Sequence, residues 1–400
     1  MSLSWWQKVT RVLGFASHDG TNSLKQALQA RSSGFSAQDI VLLRPLGRPN
    51  SDGKLTKPLS LNGKIEGHKG TIHHSDIIGK RPRDIIKSTT GSAFRVHDVS
   101  LSDYVRLSRR LVTPIYPADA DVIVSLFDIH VQSPAPDNSS GNRYEILEAG
   151  TGHGALTLHL SRALQGGNAP HNDGESNQDW RASRNAVLHT IDISEKYSRH
   201  AEKVVAGFRQ GMYAGNVDFH VGSVSEWIAS EGQRRGHKEP FLAHAFLDLP
   251  SIEDHLDAVS SRLLPDGKLI IFAPSVTQII ASYEKARKGR LPLILSQVIE
   301  LGTNGSSGGK EWDVRAVVPR DKLKAKKPTS VTPEQEGRAV SDDTTSEEMA
   351  ESDDIEQVSI ETAKIEDDAE DWKMVCRPKV GGRIVGGGFL AVFVKKGEDG

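Results

Sequence analysis

The sequence predicts an α/β protein: a mostly parallel, doubly wound sheet over residues 143–400, preceded by a small β-rich, barrel-like domain over residues 36–100. Three observations carry this. From Arg143 onward, short apolar runs alternate with segments of helical spacing. The first of those runs, "YEILEA", leads straight into Gly150, Gly152 and Gly154 and then into a helix. Residues 36–100 hold short apolar runs, such as "DIVLLRPL" and "GSAFRVHDV", separated by glycines and lacking a long helical period.

Each element follows in order. Leu101, Tyr104, Val105, Leu107 and Leu111 have helical spacing, with Ser100 or Ser102 as cap. A Pro–Ala–Asp start after Tyr116 opens an apolar helix running to Ile129. Residues 101–142 thus read as a helical linker that can lie over a cofactor. The strand "YEILEA", the glycine loop and a helix through Leu164 come next. Residues 166–186 are polar and rich in Gly and Asn, which predicts a flexible surface loop. "VLHTIDI", "VDFHVG", "FLAHAFLDLP" and "KLIIFAP" are the second to fifth strands, with helices between them. The helix from Ile252 to Leu264 should stop at the turn "PDG". "LPLILSQVIELG", "KEWDVRAVV" and "GGFLAVFVKK" read as closing strands.

The two ends of the composition stand apart. Residues 1–31 carry Lys8, Arg11, Lys25 and Arg31 against one acid, Asp19, and can gather Trp5, Val9, Leu13 and Phe15 near one helical face. Residues 1–35 therefore read as a mitochondrial transit peptide or a disordered basic terminus. Residues 320–372 lose all apolar periodicity and read as a disordered acidic insertion. Within it, residues 333–371 hold 16 acidic and 2 basic residues, a local net of −14 against a chain total of −2, which leaves +12 elsewhere. An excess of positive charge on the folded part suits a polyanionic partner. The single cysteine, Cys376, excludes a disulfide framework and a cysteine-based zinc site. The fifteen histidines show no H-x-x-x-H or H-E-x-x-H spacing, so no metal is expected. No run approaches the ~18 apolar residues of a membrane span.

The glycine loop admits two ligands. Gly150-x-Gly152-x-x-Ala155 satisfies the dinucleotide fingerprint, and Glu148-x-Gly150-x-Gly152-x-Gly154 satisfies the loop of S-adenosylmethionine-dependent methyltransferases. An acid ending the second strand, Asp192, hydrogen-bonds a ribose in either case, or caps the helix near Ser194. Asp248 ends the fourth strand, where ligands of such sheets sit, unless it caps the helix that follows, a task open to Ser251. A cofactor with an ammonium favours nearby carboxylates such as Glu148 or Asp248. Glu148 has the alternative of bonding loop amides. The dehydrogenase acid/base pairing S-x-x-x-x-Y-x-x-x-K is absent from the sequence. Methyl transfer is therefore favoured over a nicotinamide-dependent oxidoreductase.

Seven segments, in order over residues 60–396, resemble the tRNA (adenine(58)-N(1))-methyltransferases, in their bacterial and mitochondrial branch. They are "GKIEGHKGTIHHSDIIGK", "TPIYPADADVIVSLFDI", "EAGTGHGALT", "LDLP", "PSVTQI" with "KEWDVR", and "GGFLAVFVKK". The resemblance implies a Rossmann-like class I fold with a seven-stranded sheet and methylation of N1 of adenine 58 in the tRNA T-loop. It implies S-adenosylmethionine as cofactor, bound by Glu148, Ala149, Gly150, Thr151, Gly152, His153, Gly154, Ala155, Leu156, Asp192, Ser223 and Asp248. Asp248 and Tyr116 are the implied catalytic residues. The implied partners are tRNA and further subunits, either a homotetramer or a complex with a non-catalytic paralogue. The alternative within the family is a weak or inactive tRNA-interaction subunit. The chain departs from the family pattern at Ala118 (usually Lys), His153 (usually Ser), Ser223 (often an acid) and "VGGGFL", which lacks a His. Pro250 is also not followed by the usual Trp.

Overall fold

The computed structural model describes residues 34–47, 51–134, 143–170, 176–236, 239–302, 312–317, 373–378 and 387–397. The acidic insertion and all but residues 34 and 35 of the transit-peptide reading fall outside these residues. The chain divides into two compact units, residues 1–309 with 381–400, and residues 310–380.

The first unit begins with β1 (Leu42–Pro45), β2 (Lys54–Leu55), β3 (Lys64–Gly67), β4 (Gly70–His73), β5 (Ile85–Lys87) and β6 (Ala93–His97). Four of them form an antiparallel sheet in the order β2-β1-β6-β5, and β3 pairs with β4 across a glycine turn. Phe35, Val41, Leu43, Leu59, Ile72, Ile77, Ile86 and Val96 bury a small core between them. Helix α1 (Leu101–Leu107) follows, capped by Ser100, whose hydroxyl accepts from Asp103 N–H at 3.0 Å. Helix α2 (Pro117–Phe127) starts on Pro117, whose missing N–H costs nothing there, and stops at Asp128 in the left-handed region.

The remaining elements of this unit are β7 (Tyr144–Ala149), α3 (Ala155–Leu164), α4 (Asn177–Ser183), β8 (Ala186–Asp192), α5 (Glu195–Gly207), β9 (Val217–Val221), α6 (Val224–Arg235), β10 (Leu242–Leu247), α7 (Leu256–Arg262), β11 (Leu263–Ala273), α8 (Val276–Lys288) and β12 (Leu293–Leu301). In the final strand order, β15 (Gly388–Lys395) joins them, giving a seven-stranded sheet β12-β15-β11-β10-β7-β8-β9. The pairs among β11, β10, β7, β8 and β9 are parallel, and β15 is antiparallel to both neighbours. Side chains alternate between two cores, as a two-residue period requires. Ile146 and Leu188 pack with α1, α2 and α3 on one face, and Leu147 and Ile191 pack with α6 and α7 on the other. Strand order reverses between β7 and β10, which opens a crevice at their carboxyl ends.

Three sequence expectations change. Residues 166–186 are not a plain loop: Ser176 caps α4, Trp180 is buried with its indole N–H on Ala169 O, and Arg184 pairs with Asp218. One large apolar residue in a polar run is enough to anchor a short helix. The "KEWDVRAVV" strand does not join the main sheet. In the second unit, β13 (Trp312–Val317) pairs antiparallel with β14 (Lys373–Pro378). Finally, the helix expected to run from Ile252 to "PDG" is Leu256–Arg262, and "PDG" lies inside the span of β11, with Asp266 at φ 61°. A Cβ on Gly267 would stand 2.7 Å from Ala243 O, so the bend keeps its glycine for close approach to β10.

Candidate active site

The crevice between β7 and β10 is floored by the glycine loop. Asp248 N–H donates to Ala149 O at 2.9 Å, stitching the two strand ends together. Gly150 has φ +93°, and a Cβ there would stand 2.2 Å from Asp248 O. Gly154, at φ +79°, opens α3, and a Cβ there would stand 3.1 Å from Ala201 of α5. These two glycines let neighbouring backbone approach the loop. At Gly152, with φ +53°, a Cβ would stand no closer than 3.5 Å to Val112, so this glycine is set by its backbone conformation and not by packing.

Three carboxylates converge here. Glu148 is buried on β7 and accepts from the hydroxyls of Thr157 at 2.6 Å and Thr190 at 2.8 Å, not from loop amides. Burial pushes its carboxyl up to about 7, against the two hydroxyl bonds, and the charges of Asp248 and Asp192 raise it further. Burial pushes Asp248 up to about 6. Asp192, at the end of β8, accepts from Gly152 N–H at 3.0 Å and from Ser194 N–H at 2.8 Å. Ser194 itself caps α5 through its hydroxyl, so Asp192 braces the loop and does not cap the helix. Ser251 sits at φ 54° with no side-chain cap bond, so it does not serve as the cap expected of it. Asp248 makes no such cap either: the α7 N-cap is His255, seven residues on. Among the described residues, no lysine, arginine or histidine forms an ion pair with Glu148, Asp192 or Asp248. A floor of this kind attracts a cation and repels a diphosphate.

Thr151 is buried and shares a 2.6 Å hydroxyl contact with Thr190. His153 is turned into the protein, with Nε2 3.0 Å from Ser108 Oγ and Nδ1 3.2 Å from His200 Nε2. Burial pushes its imidazole down to about 4, with His200 and Arg110 adding to the effect, so it is neutral near pH 7. The bulk of His153 therefore ties the loop to α5 and to the residue after α1. Ala155 and Leu156 are buried in the first turn of α3. Ser223 stands before α6, beyond β9, and Gly222 N–H beside it donates to Asp192 O at 3.0 Å. Tyr116 is half-buried at the start of α2, with the Arg110 guanidinium 5.4 Å from its ring centroid. Sequence reasoning missed Thr157 and Thr190, which set the environment of Glu148. Thr157 belongs to the quoted "GALT" segment, whereas Thr190 has no local signal.

No protein-family model matches the chain. The chain is 29% identical over 256 residues to the tRNA (adenine(58)-N(1))-methyltransferase TrmI of Thermus thermophilus, covering 64% of this chain and 82% of that protein. A second strain of the same species gives the same figures. Among solved structures, a SAM-dependent O-methyltransferase from Thermotoga maritima superposes with a TM-score of 0.57 at 17% identity, over 92% of this chain and 96% of that one. The tRNA (m1A58) methyltransferase TrmI from Aquifex aeolicus superposes with a TM-score of 0.50 at 16% identity, over 91% and 99%. The fold is that of the Rossmann-like, SAM-dependent methyltransferases.

Proposed function

We infer that this chain belongs to the tRNA (adenine(58)-N(1))-methyltransferases and transfers the methyl group of S-adenosylmethionine to N1 of adenine 58 in tRNA. The observation that carries the reading is the carboxylate floor at the strand-order reversal, built from Glu148, Asp192 and Asp248 with no basic partner among the described residues. S-adenosylmethionine carries a sulfonium and an ammonium and fits this floor. A nicotinamide dinucleotide places a diphosphate at the same loop and does not. The loop Ala149–Leu156, with Glu148, Asp192, Ser223 and Asp248, would hold the cofactor.

When bound, S-adenosylmethionine supplies an electrophilic methyl group. N1 of adenine has a free lone pair, so no proton need leave before attack, and the purine ring becomes cationic as the bond forms. The residues must therefore align the base and stabilise growing positive charge. Asp248 accepts a hydrogen bond from the exocyclic N6 amino group, which orients N1 and offsets the charge on the ring. Tyr116 offers a stacking face to a base taken out of its stack. Asp192 keeps lone pairs for ribose hydroxyls beyond its two backbone bonds. The neutral His153 is engaged with Ser108 and His200 and takes no proton in this scheme.

The test is direct. Incubated with labelled S-adenosylmethionine and an unmodified tRNA transcript, the protein yields N1-methyladenosine at position 58. Asp248→Ala lowers turnover by about a hundredfold or more, as loss of a charge-stabilising group does, while cofactor affinity falls less. Undiminished turnover in that variant removes the role of Asp248, and absence of N1-methyladenosine removes the function.

We further propose a homotetramer, an arrangement that leaves no need for a non-catalytic paralogue. It is supported by exposed Val276 and Ile280 on α8 and exposed Ile294 and Val298 on β12, the edge strand of the sheet. The basic excess outside residues 333–371 supports RNA binding. The composition of residues 1–31 supports a mitochondrial location, with the nucleus as the alternative. No helix among the described residues is long and apolar enough to cross a membrane.

A further inference from the structure

The crevice has a negative floor, but its lip is positive. The chain after α1 runs beside the glycine loop: Ser108 meets His153 at 3.0 Å, and a Cβ on Gly152 would stand 3.5 Å from Val112. Three arginines lie in or beside this stretch, and they differ. Arg106 is neutralised by Asp103 at 2.9 Å and by Asp52, which joins α1 to the β-rich domain. Arg109 and Arg110 are exposed and form no ion pair among the described residues. Burial chiefly disfavours charge on His200, and the charge of Lys203, exposed on α5, adds to it.

The Arg110 guanidinium is held without a carboxylate partner among the described residues. It donates to Arg106 O at 2.9 Å, lies 5.4 Å from the centroid of the Tyr116 ring and is 3.5 Å from the Tyr116 hydroxyl. A cation over that ring takes the place of a purine that turns cationic on methylation. A cation cannot stay on the face where a second one is forming, so a base that takes the Tyr116 face must displace it. The freed guanidinium then stands at the lip of the crevice, within reach of the sugar-phosphate chain that carries the base.

We propose that Arg110 is a positioning residue for the nucleotide substrate: it covers the face of Tyr116 in the free protein and moves to a backbone phosphate beside the target base when that base enters. The inference rests on the nucleic-acid methyltransferase reading above and adds a residue and a movement to it. Arginine suits the task because its planar fork can stack on a ring and also grip a phosphate through two N–H groups, which lysine cannot do.

The experiment measures steady-state methylation of a tRNA transcript at several salt concentrations for the full chain and for Arg110→Gln and Arg110→Lys. Cofactor affinity is measured calorimetrically on the same preparations. Loss of one charge-assisted phosphate contact raises KM for tRNA about tenfold. It also flattens the dependence of log KM on log salt by about 0.7, the share of one phosphate on a single strand. Arg110→Lys recovers most of the salt dependence and only part of KM. Cofactor affinity stays unchanged, and so does kcat in Arg110→Lys. A KM and salt dependence unaltered in Arg110→Gln, or a loss confined to kcat, overturns the inference alone. A folded protein that binds the cofactor but methylates no tRNA overturns the functional reading and the inference with it.

Discussion

Glu148 and Asp248 are the residues whose chemistry the fold alters most. Both are held above their ordinary values, at about 7 and about 6, chiefly by burial. The folded state therefore binds protons that the unfolded chain has released, and the stability of the ligand-free protein falls as pH rises from about 4 to about 7. A thermal-unfolding series over that window shows the slope, and Glu148→Gln reduces it. A slope of opposite sign contradicts the account of the floor. Turnover has the reverse dependence, because Asp248 acts as a carboxylate: kcat/KM, which reports the free protein, rises with pH through about 6 and then levels. Asp248→Asn removes the rise along with most of the rate. At this scale the sequence was informative where residues are consecutive. The run Glu148 to Leu156 could be read from one quoted stretch, and Asp248 from its place after a strand. Thr190, His200 and Arg110 could not, because each matters only through a neighbour brought near by the fold.

At the scale of elements, the glycine loop shows which of its three glycines serve packing. Gly150→Ala meets Asp248 O in a left-handed backbone, so it lowers stability by roughly 1–3 kcal/mol and disturbs the β7–β10 crevice. Gly152→Ala meets nothing closer than 3.5 Å and costs about 1 kcal/mol from backbone conformation alone. Denaturant titration of the two variants ranks them, and the opposite ranking contradicts the packing argument. Helix α4 depends on Trp180, and Trp180→Ala costs about 3–5 kcal/mol, read in the same titration. The alternating strands were legible because a parallel sheet buried on both faces leaves near-continuous apolar runs. Helix α4 was not, since its polar composition resembles a loop, and what holds it down is the burial of Trp180 and the pairing of Arg181 and Arg184 with Asp218, a residue far along the chain. The pairing of β13 was not legible either, because a strand's own pattern does not say which partner it takes.

The whole molecule separates its charges by place. Negative side chains converge at the floor of the crevice, positive ones lie at its lip, and the most acidic stretch of the sequence lies outside the described residues. Such a layout holds a small cation below and a polyanion above, which joins the proposed cofactor and the proposed substrate in one site. The overall architecture was legible from strand and helix alternation, and the electrostatic layout was not, since net charge of −2 conceals it. The claim on which the rest stands is that a cationic cofactor occupies the carboxylate floor. Calorimetric titration with S-adenosylmethionine at pH 6.5, in two buffers of different ionisation enthalpy, tests it most directly. The account predicts saturable binding with release of protons as Glu148 and Asp248 ionise, and no binding of NADH. A well-folded protein that gives no heat with S-adenosylmethionine, or that binds NADH in its place, contradicts it.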